Sequence, residues 1–68
     1  MELVINHHKK SYDVLHLSLE ALLYAEIPGK QKGIAVAINH EVVPRNQWSS
    51  TFLQHNDHIL IITATQGG

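Results

Sequence analysis

The residues best suited to chemistry stand at the end of the chain, which reads Thr63-Ala64-Thr65-Gln66-Gly67-Gly68. Gly67 and Gly68 carry no Cβ, so a segment ending in them can pass through a channel that any side chain would block. A terminal carboxylate is a poor electrophile until another protein activates it, for instance as an acyl-adenylate that sulfur or an amine can attack. We therefore interpret Gly68 as an acyl-carrying site, with Gln66 and Gly67 threading into a partner's site. The alternative is a frayed end without a function.

Four histidines are candidates for metal binding, because imidazole is a common metal ligand. They are His7, His8, His55 and His58. Structural zinc sites usually combine four ligands, and this chain has no cysteine and no clear ligand set. Solvated loop positions are therefore the favoured interpretation. We predict no metal site, and the roles of these histidines stay open.

Nucleophilic catalysis would need an activated serine, and the sequence offers Ser11, Ser18, Ser49 and Ser50. None of them lies in a nucleophile-elbow sequence. So small a sheet also offers little enclosed volume for a substrate. An enzyme is therefore the least favoured class, and no catalytic residue is assigned.

Length and composition set the remaining bounds. A chain of 68 residues predicts one domain, and without cysteine its stability has to come from packing. A reducing cytoplasm is the default compartment for such a composition. The formal net charge of -1 leaves no electrostatic footprint for nucleic acid or an anionic membrane. No apolar run approaches the ~20 residues of a membrane span. We therefore predict a cytoplasmic protein that binds neither nucleic acid nor a membrane.

The first half of the chain predicts a hairpin followed by a helix. Leu3–Ile5 is a short apolar strand, residues 6–9 a hairpin connection, and Ser11–Val14 an alternating second strand, antiparallel to the first. Residues 17–27 change to helical spacing, with Ser18 placed as the N-cap. The apolar face of this helix consists of Leu19, Leu22, Leu23 and Ile27.

The second half of the chain predicts strands. Residues 33–39 alternate bulky and small apolar side chains, which indicates a buried strand with its bulky face toward the helix. Residues 42–44 form a short strand at the sheet edge, because Pro44 lacks a ladder donor. Residues 58–65 form the last strand. The large apolar residues expected to cover one end of the core are Trp48, Phe52 and Leu53.

The last strand carries consecutive bulky apolar residues over positions 59–62. Because neighbouring side chains alternate, two of them must face away from the helix. An exposed apolar patch on the Leu60 side would suit a docking face, although no partner contact is assigned to it. The alternative is that Trp48, Phe52 or an edge loop covers this face.

This order of elements predicts an α+β fold, with a mixed four- to five-stranded sheet and one main helix packed on one face. For so short a chain, the β-grasp (ubiquitin-like) fold is the natural candidate. We predict a single domain over residues 1–68, with residues 64–68 as a flexible C-terminal tail.

Two stretches carry a resemblance to a known family. The first runs Ala35-Val36-Ala37-Ile38-Asn39, then Val43-Pro44-Arg45, then Trp48. The second is the ending Thr63 to Gly68. In these stretches and in the order of its elements, the chain resembles the ThiS family, the ubiquitin-like sulfur carriers of thiamin biosynthesis, nearly from end to end.

The resemblance implies a mechanism in which this chain binds no cofactor. An E1-like adenylating enzyme of the ThiF type, using ATP and magnesium, would adenylate the Gly68 carboxylate. Sulfur from a sulfur-donating enzyme would then displace the adenylate. The resulting thiocarboxylate would donate its sulfur to the thiazole that a ThiG-type thiazole synthase builds. Arg45 is a possible partner contact because it lies in the matching segment, although structural pairing beside Trp48 is an equally good account.

Two alternatives to the thiamin carrier stay open. A molybdopterin-type sulfur carrier shares the fold and the Gly-Gly ending. A β-grasp interaction module, in contrast, would bind a partner without modification of its terminus. The identity of the sulfur donor and the stoichiometry of any complex are not predicted by the sequence.

Overall fold

The computed structural model of the chain describes residues 1–29 and 32–63. The strands are β1 (Glu2–Ile5), β2 (His8–Ser11), β3 (Ile34–Ile38), β4 (Glu41–Val42) and β5 (His58–Thr63). Helix α1 spans Leu19–Glu26, and a 3-10 helix spans Arg45–Ser50. Neither helix in this described part is long and apolar enough to cross a bilayer. Positions 64 and 65, the predicted end of the last strand, lie outside the described residues.

The five strands form one mixed sheet in the order β2-β1-β5-β3-β4. β1 and β5 pair in parallel at its centre, and the other neighbours are antiparallel. A parallel pair needs a crossover between its strands, and helix α1 lies within that connection. This mixed sheet with a helix on one face confirms the predicted α+β class and the β-grasp fold.

The predicted position of the second strand, Ser11–Val14, is wrong. The N-terminal hairpin turns over only two residues, Asn6-His7, so that β2 already begins at His8. Both turn residues are left-handed, with φ of 49° at Asn6 and 70° at His7, which is the geometry of a type I′ turn. This tight turn matches the twist of the two strands, and it moves β2 three residues toward the N-terminus.

The hairpin between β3 and β4 repeats the same turn. Asn39-His40 connects the strands with φ values of 50° and 74°. Because the turn is again only two residues long, β4 covers Glu41–Val42 instead of the predicted residues 42–44. Asn-His therefore makes both tight hairpins in the described part of the sheet.

The inner face of the sheet packs against α1 as the helical spacing predicts. Leu19, Leu22 and Leu23 are fully buried, and Ile27 packs partly buried against the same core. Ser18 is the N-cap, and its Oγ accepts a hydrogen bond from the Ala21 amide at 3.1 Å. The residues that the sheet contributes to this core are Leu3, Ile5, Val36 and Ile59.

The segment after β4 closes one end of the core, although not with all the residues expected. Trp48 and Leu53 are buried, whereas Phe52 is 59% exposed. The backbone of residues 51–53 hydrogen-bonds to residues 17–19, which gives this short stretch a strand-like alternation. Alternation turns Leu53 inward and Phe52 outward, so the prediction that Phe52 covers the core is wrong.

A polar cluster joins β2 to the end of α1. The Tyr12 hydroxyl donates a hydrogen bond to Glu26, and Lys10 Nζ donates to Glu26 Oε1 at 2.8 Å. Burial raises the pKa of Tyr12, and the hydrogen bond and negative charge of Glu26 raise it further. Burial alone would raise the pKa of Glu26, but the hydrogen bonds from Lys10 and Tyr12 outweigh it and lower that pKa. The edge strand is thereby tied to the helix.

Candidate functional site

The predicted acyl-carrying segment follows β5, so the placement of this strand decides where that segment leaves the sheet. On one side, every residue of β3 pairs with β5, from Ile38 opposite Ile59 to Ile34 opposite Thr63. On the other side, the pairing with β1 reaches only to Ile5 opposite Ile59. The second half of β5 therefore extends past the end of its parallel neighbour.

Asn6 completes the pairing of β5 on that side. Its Nδ2 donates to the Ile61 carbonyl at 3.2 Å, and its Oδ1 accepts from the Ile61 amide at 2.7 Å. The primary amide thus offers the donor and acceptor that a further strand residue would offer. The half of β5 nearest the terminal segment is thereby held from both sides.

Asn39 holds the opposite end of the same strand. Its Oδ1 accepts from the His58 amide at 3.0 Å, and its Nδ2 donates to Asp57 Oδ1 at 2.9 Å. The asparagines of the two Asn-His turns therefore fix β5 near its start and near its end. Sequence reasoning placed Asn6 in the hairpin connection and Asn39 at the end of a strand, and it missed this role, for which the repeated Asn-His pair was the available signal.

The face of the sheet opposite α1 is apolar and open. Leu60 is 39% exposed, Ile62 52% and Val42 74%. Ala37 lies opposite both Leu60 and Val42, which joins these side chains into one surface across three strands. We call this surface the outer face. The alternative that Trp48 or Phe52 covers it does not hold, because Trp48 is buried in the inner core and Phe52 is itself exposed.

A shallow depression of about 100 Å³ lies in the outer face. Its lining includes the apolar side chains of Val4, Ala37 and Leu60 together with His7, His40 and His58. His7 and His40 come from the two Asn-His turns, and His58 begins β5. The turns that hold the central strand therefore also contribute histidines to the lining of the depression.

The four histidines considered as metal ligands do not form one group. His7 and His58 line the depression, His8 is exposed on β2, and His55 Nδ1 accepts a hydrogen bond from the Glu2 amide at 3.0 Å. Across residues 1–29 and 32–63, no group of three or more histidine or acidic side chains is arranged to hold a metal ion.

Arg45 lies at the start of the 3-10 helix, with its Cζ 5.0 Å from the centre of the Trp48 ring. This is cation–π distance, and it supports the structural pairing that the sequence left open. The guanidinium is exposed, so a partner contact by Arg45 stays a prediction. Trp48 is fixed in turn by its indole N–H, which donates to the Val43 carbonyl at 3.0 Å.

The terminal residues of the candidate site are not among those that the structure describes. Gln66 and Gly67, predicted to thread into a partner, and Gly68, predicted to carry the acyl group, all lie in the undescribed positions 64–68. The same holds for the predicted flexible tail. These assignments therefore stay predictions, and the described structure ends at Thr63.

The mixed five-stranded sheet with one α-helix on its inner face defines the ubiquitin-like class of β-grasp proteins. The crystal structure of the thiamine biosynthesis protein ThiS from Geobacter metallireducens is similar over 100% of both chains, with a TM-score of 0.86 and 25% identity. A solution NMR structure of a thiamine biosynthesis protein from the same organism matches at a TM-score of 0.82 and 25% identity, covering 100% of this chain and 88% of that one.

Sequence comparison narrows the class to a family. The sulfur carrier protein ThiS of Escherichia coli strain K12 is 39% identical over 46 residues, which cover 68% of this chain and 70% of that protein. A sequence model of the ThiS family matches residues 3–68. The chain therefore belongs to the ThiS family of sulfur carriers.

Proposed function

We propose that this chain carries sulfur as a thiocarboxylate on Gly68 and donates it for thiazole formation in thiamin biosynthesis. The observation that carries this proposal is the family match over residues 3–68, which includes the terminal Gly67-Gly68 pair. The names of the relatives, a sulfur carrier protein and a thiamine biosynthesis protein, support it. The chain acts as a protein co-substrate, and the catalytic groups belong to its partners.

The proposed loading has two steps. In the site of a ThiF-type adenylating enzyme, a Gly68 carboxylate oxygen attacks the α-phosphorus of ATP, forming an acyl-adenylate and releasing pyrophosphate. This mixed anhydride makes the carbonyl carbon electrophilic. A hydrosulfide equivalent from a sulfur-donating enzyme then forms the C–S bond while the C–O bond to AMP breaks. ATP and magnesium belong to the activating enzyme throughout.

The described part of the chain contributes position to this chemistry. Two hydrogen bonds with Asn6 and the pairing with β3 hold the second half of β5, the strand that precedes the terminal segment. The outer face beside this strand offers exposed Leu60 and Ile62 for docking of the enzymes that act on the terminus. A fixed docking face and a terminal segment that ends in two glycines together fit a carrier whose terminus must enter several active sites.

Intact-mass spectrometry tests the proposal. The chain is incubated with the adenylating enzyme of the same organism, ATP, magnesium and a sulfur source, and a parallel sample omits ATP. We expect an ATP-dependent mass increase that corresponds to exchange of one oxygen for sulfur at the terminus. Adenylation of the Gly68 carboxylate by the enzyme without any such exchange would contradict the carrier function.

Gly67→Val tests the threading of the terminal segment. Position 67 lies beyond β5, so we expect the unfolding midpoint to stay unchanged, while the added side chain blocks entry into the activating site. Sulfur loading should fall by about tenfold or more, a loss that misplacement of a reacting group readily produces. Undiminished loading of the Gly67→Val chain would exclude the threading mechanism.

Two further experiments separate the proposal from its alternatives. Affinity capture of the chain by thiazole synthase is compared with its capture by the large subunit of molybdopterin synthase. Preference for one of these two proteins distinguishes the two carrier pathways. Deletion of Gly67-Gly68 distinguishes a carrier from an unmodified interaction module. A carrier loses its partner-dependent function while it still binds, whereas a module retains both.

A further inference from the structure

The two Asn-His turns place histidine where a tight hairpin favours glycine. The second position of a type I′ turn has positive φ, and glycine occupies it at the lowest steric cost. Here His7 has a φ of 70° and His40 a φ of 74°. Strained positions of this kind often serve a function that outweighs their cost. Because the same exception occurs at both turns, a shared role for His7 and His40 is expected.

Both histidines line the depression in the outer face. His58 also lines it, together with the apolar residues Val4, Ala37 and Leu60. Two hairpin turns and the first residue of the central strand thus bring three titratable side chains to one shallow cavity. Imidazole is the side chain that normally changes its charge between about pH 5 and 8.

The charged groups around the depression come from each strand packed beside it. By strand alternation, Lys9 of β2 lies on this face opposite Val4, and Glu2 of β1 also points to this side. Asp57 is engaged by Asn39 Nδ2 and the Gln54 amide, and Glu41 lies on the opposite side of β4, paired with Ile38. Among the described residues, the basic groups on this side are therefore Lys9 and the three histidines, and the acidic group on the same side is Glu2.

We propose that this histidine-rimmed depression receives an apolar side chain, flanked by carboxylates, of the enzyme that activates Gly68. The apolar floor fits the side chain, and the rim of His7, His40 and His58 complements the carboxylates. Docking therefore tightens as the imidazoles gain their protons, and it weakens as the pH rises. The inference rests on the proposed function, since it specifies how the activating partner is recognised.

The test is calorimetric titration of the full chain with the ThiF-type adenylating enzyme of the same organism, from about pH 8 to about pH 5.5. We expect the affinity to rise about tenfold over this range, since a few rim charges contribute modestly each. The effect should shrink in about 1 M salt, which screens exposed charges. A chain with the three substitutions His7→Gly, His40→Gly and His58→Gln should bind with little dependence on pH.

His16→Gln is the matched control. His16 is also exposed, but it lines a separate groove with Met1, Val14 and Leu15, away from the outer face. This variant should keep the full pH dependence. Because glycine suits both turns, the triple variant should retain its thermal midpoint, and the comparison does not depend on a damaged fold.

Three results would overturn the inference: binding by the unsubstituted chain that does not change with pH, an unchanged pH dependence in the triple variant, or no binding at either pH. Thiocarboxylate formation is measured in the same samples at saturating enzyme. Normal thiocarboxylate formation together with pH-independent binding would contradict the proposed role of the three histidines without contradicting the carrier function. Absence of loading with intact pH-dependent docking rejects the carrier function and leaves the docking site standing.

Discussion

The two faces of the central sheet carry similar apolar residues and differ in how far these residues are buried. Ile59 and Leu60 are neighbours on β5, yet Ile59 is 2% exposed and Leu60 is 39% exposed. Ile59 belongs to the buried core that includes Leu22 of α1. Leu60 borders the depression together with His7 and His40. One face is thus covered by the helix, and the other is exposed.

The difference shows that this small fold divides its apolar residues between a buried core and an exposed surface of the sheet. Single exposed apolar side chains are common on protein surfaces, but a contiguous group on one side of a sheet marks an interaction site. Leu60, Ile62 and Val42 form such a group through their shared neighbours on β3. Buried and exposed apolar side chains therefore alternate along β5, and the proposed docking uses the exposed ones.

The largest effect on stability is expected from the inner face. Ile59→Ala and Leu22→Ala should each lower the free energy of unfolding by about 2–5 kcal/mol, because each leaves a cavity in the packed core. Urea unfolding measures the loss. If an alanine variant does not fold, Ile59→Val should still cost about 0.5–1.5 kcal/mol. Unchanged midpoints would show that these residues do not seal the inner face.

A smaller effect is expected where the central strand is held. Asn6→Ala removes both side-chain hydrogen bonds to Ile61 and should lower the free energy of unfolding by about 1–2 kcal/mol. Hydrogen exchange should become faster at the Ile61 amide, which loses its acceptor. Asn46→Ala, at an exposed position of the 3-10 helix, is the control. Equal exchange at Ile61 in both variants would contradict the role of Asn6.

Glu26→Gln should have a still smaller effect, and one that depends on pH. At neutral pH we expect a loss of about 1 kcal/mol, because charged hydrogen bonds to Lys10 and Tyr12 become neutral ones. The pKa of Glu26 in the folded chain lies below its ordinary value of 4.5. Its contribution is therefore present above that value and is lost as the pH falls through the lowered pKa.

Denaturant unfolding at a series of pH values between neutral and acidic measures this dependence. The unsubstituted chain should lose stability more steeply in acid than the Glu26→Gln chain, since other carboxyl groups are common to both. The gap between the two curves should close as the pH falls. Parallel curves would mean that the lowered pKa of Glu26 does not stabilise the fold.

The smallest effect on stability is expected on the outer face. Leu60→Ala should change the free energy of unfolding by less than about 1 kcal/mol, because its side chain is only partly buried. Its affinity for the activating enzyme should nevertheless fall several-fold. Val14→Ala, at an exposed position outside the sheet, should change neither quantity. A loss of stability at Leu60 as large as that at Ile59 would remove the contrast between the faces.

Much of the fold could be predicted because local pattern and packing agree. Helical spacing identified Leu19, Leu22 and Leu23 as the buried face of α1, and Ser18 was identified as its cap. Alternation identified β3 and the two-sided character of β5. In each case, the spacing of the apolar residues in the sequence equals the spacing at which side chains of that helix or strand face the core.

The errors arose where a turn decided the start of a strand, or where a tertiary contact decided which side chain is buried. Nothing in residues 6–14 fixes a two-residue turn in preference to a longer connection, because His7 occupies a left-handed position that glycine usually marks. Phe52 is as apolar as its neighbour Leu53, and only the pairing of residues 51–53 with residues 17–19 decides which of them is buried. The grouping of three histidines depends on strand order and could not be predicted from spacing.

Methyl NMR during titration with the activating enzyme tests the division between the two faces most directly. Selectively labelled chain reports the outer face through Leu60, Ile62 and Val42, and the inner face through Leu22 and Ile59. We predict shifted or broadened signals for the outer set and little change for the inner set. Signals that change on the helix side while the outer set stays constant would contradict the account.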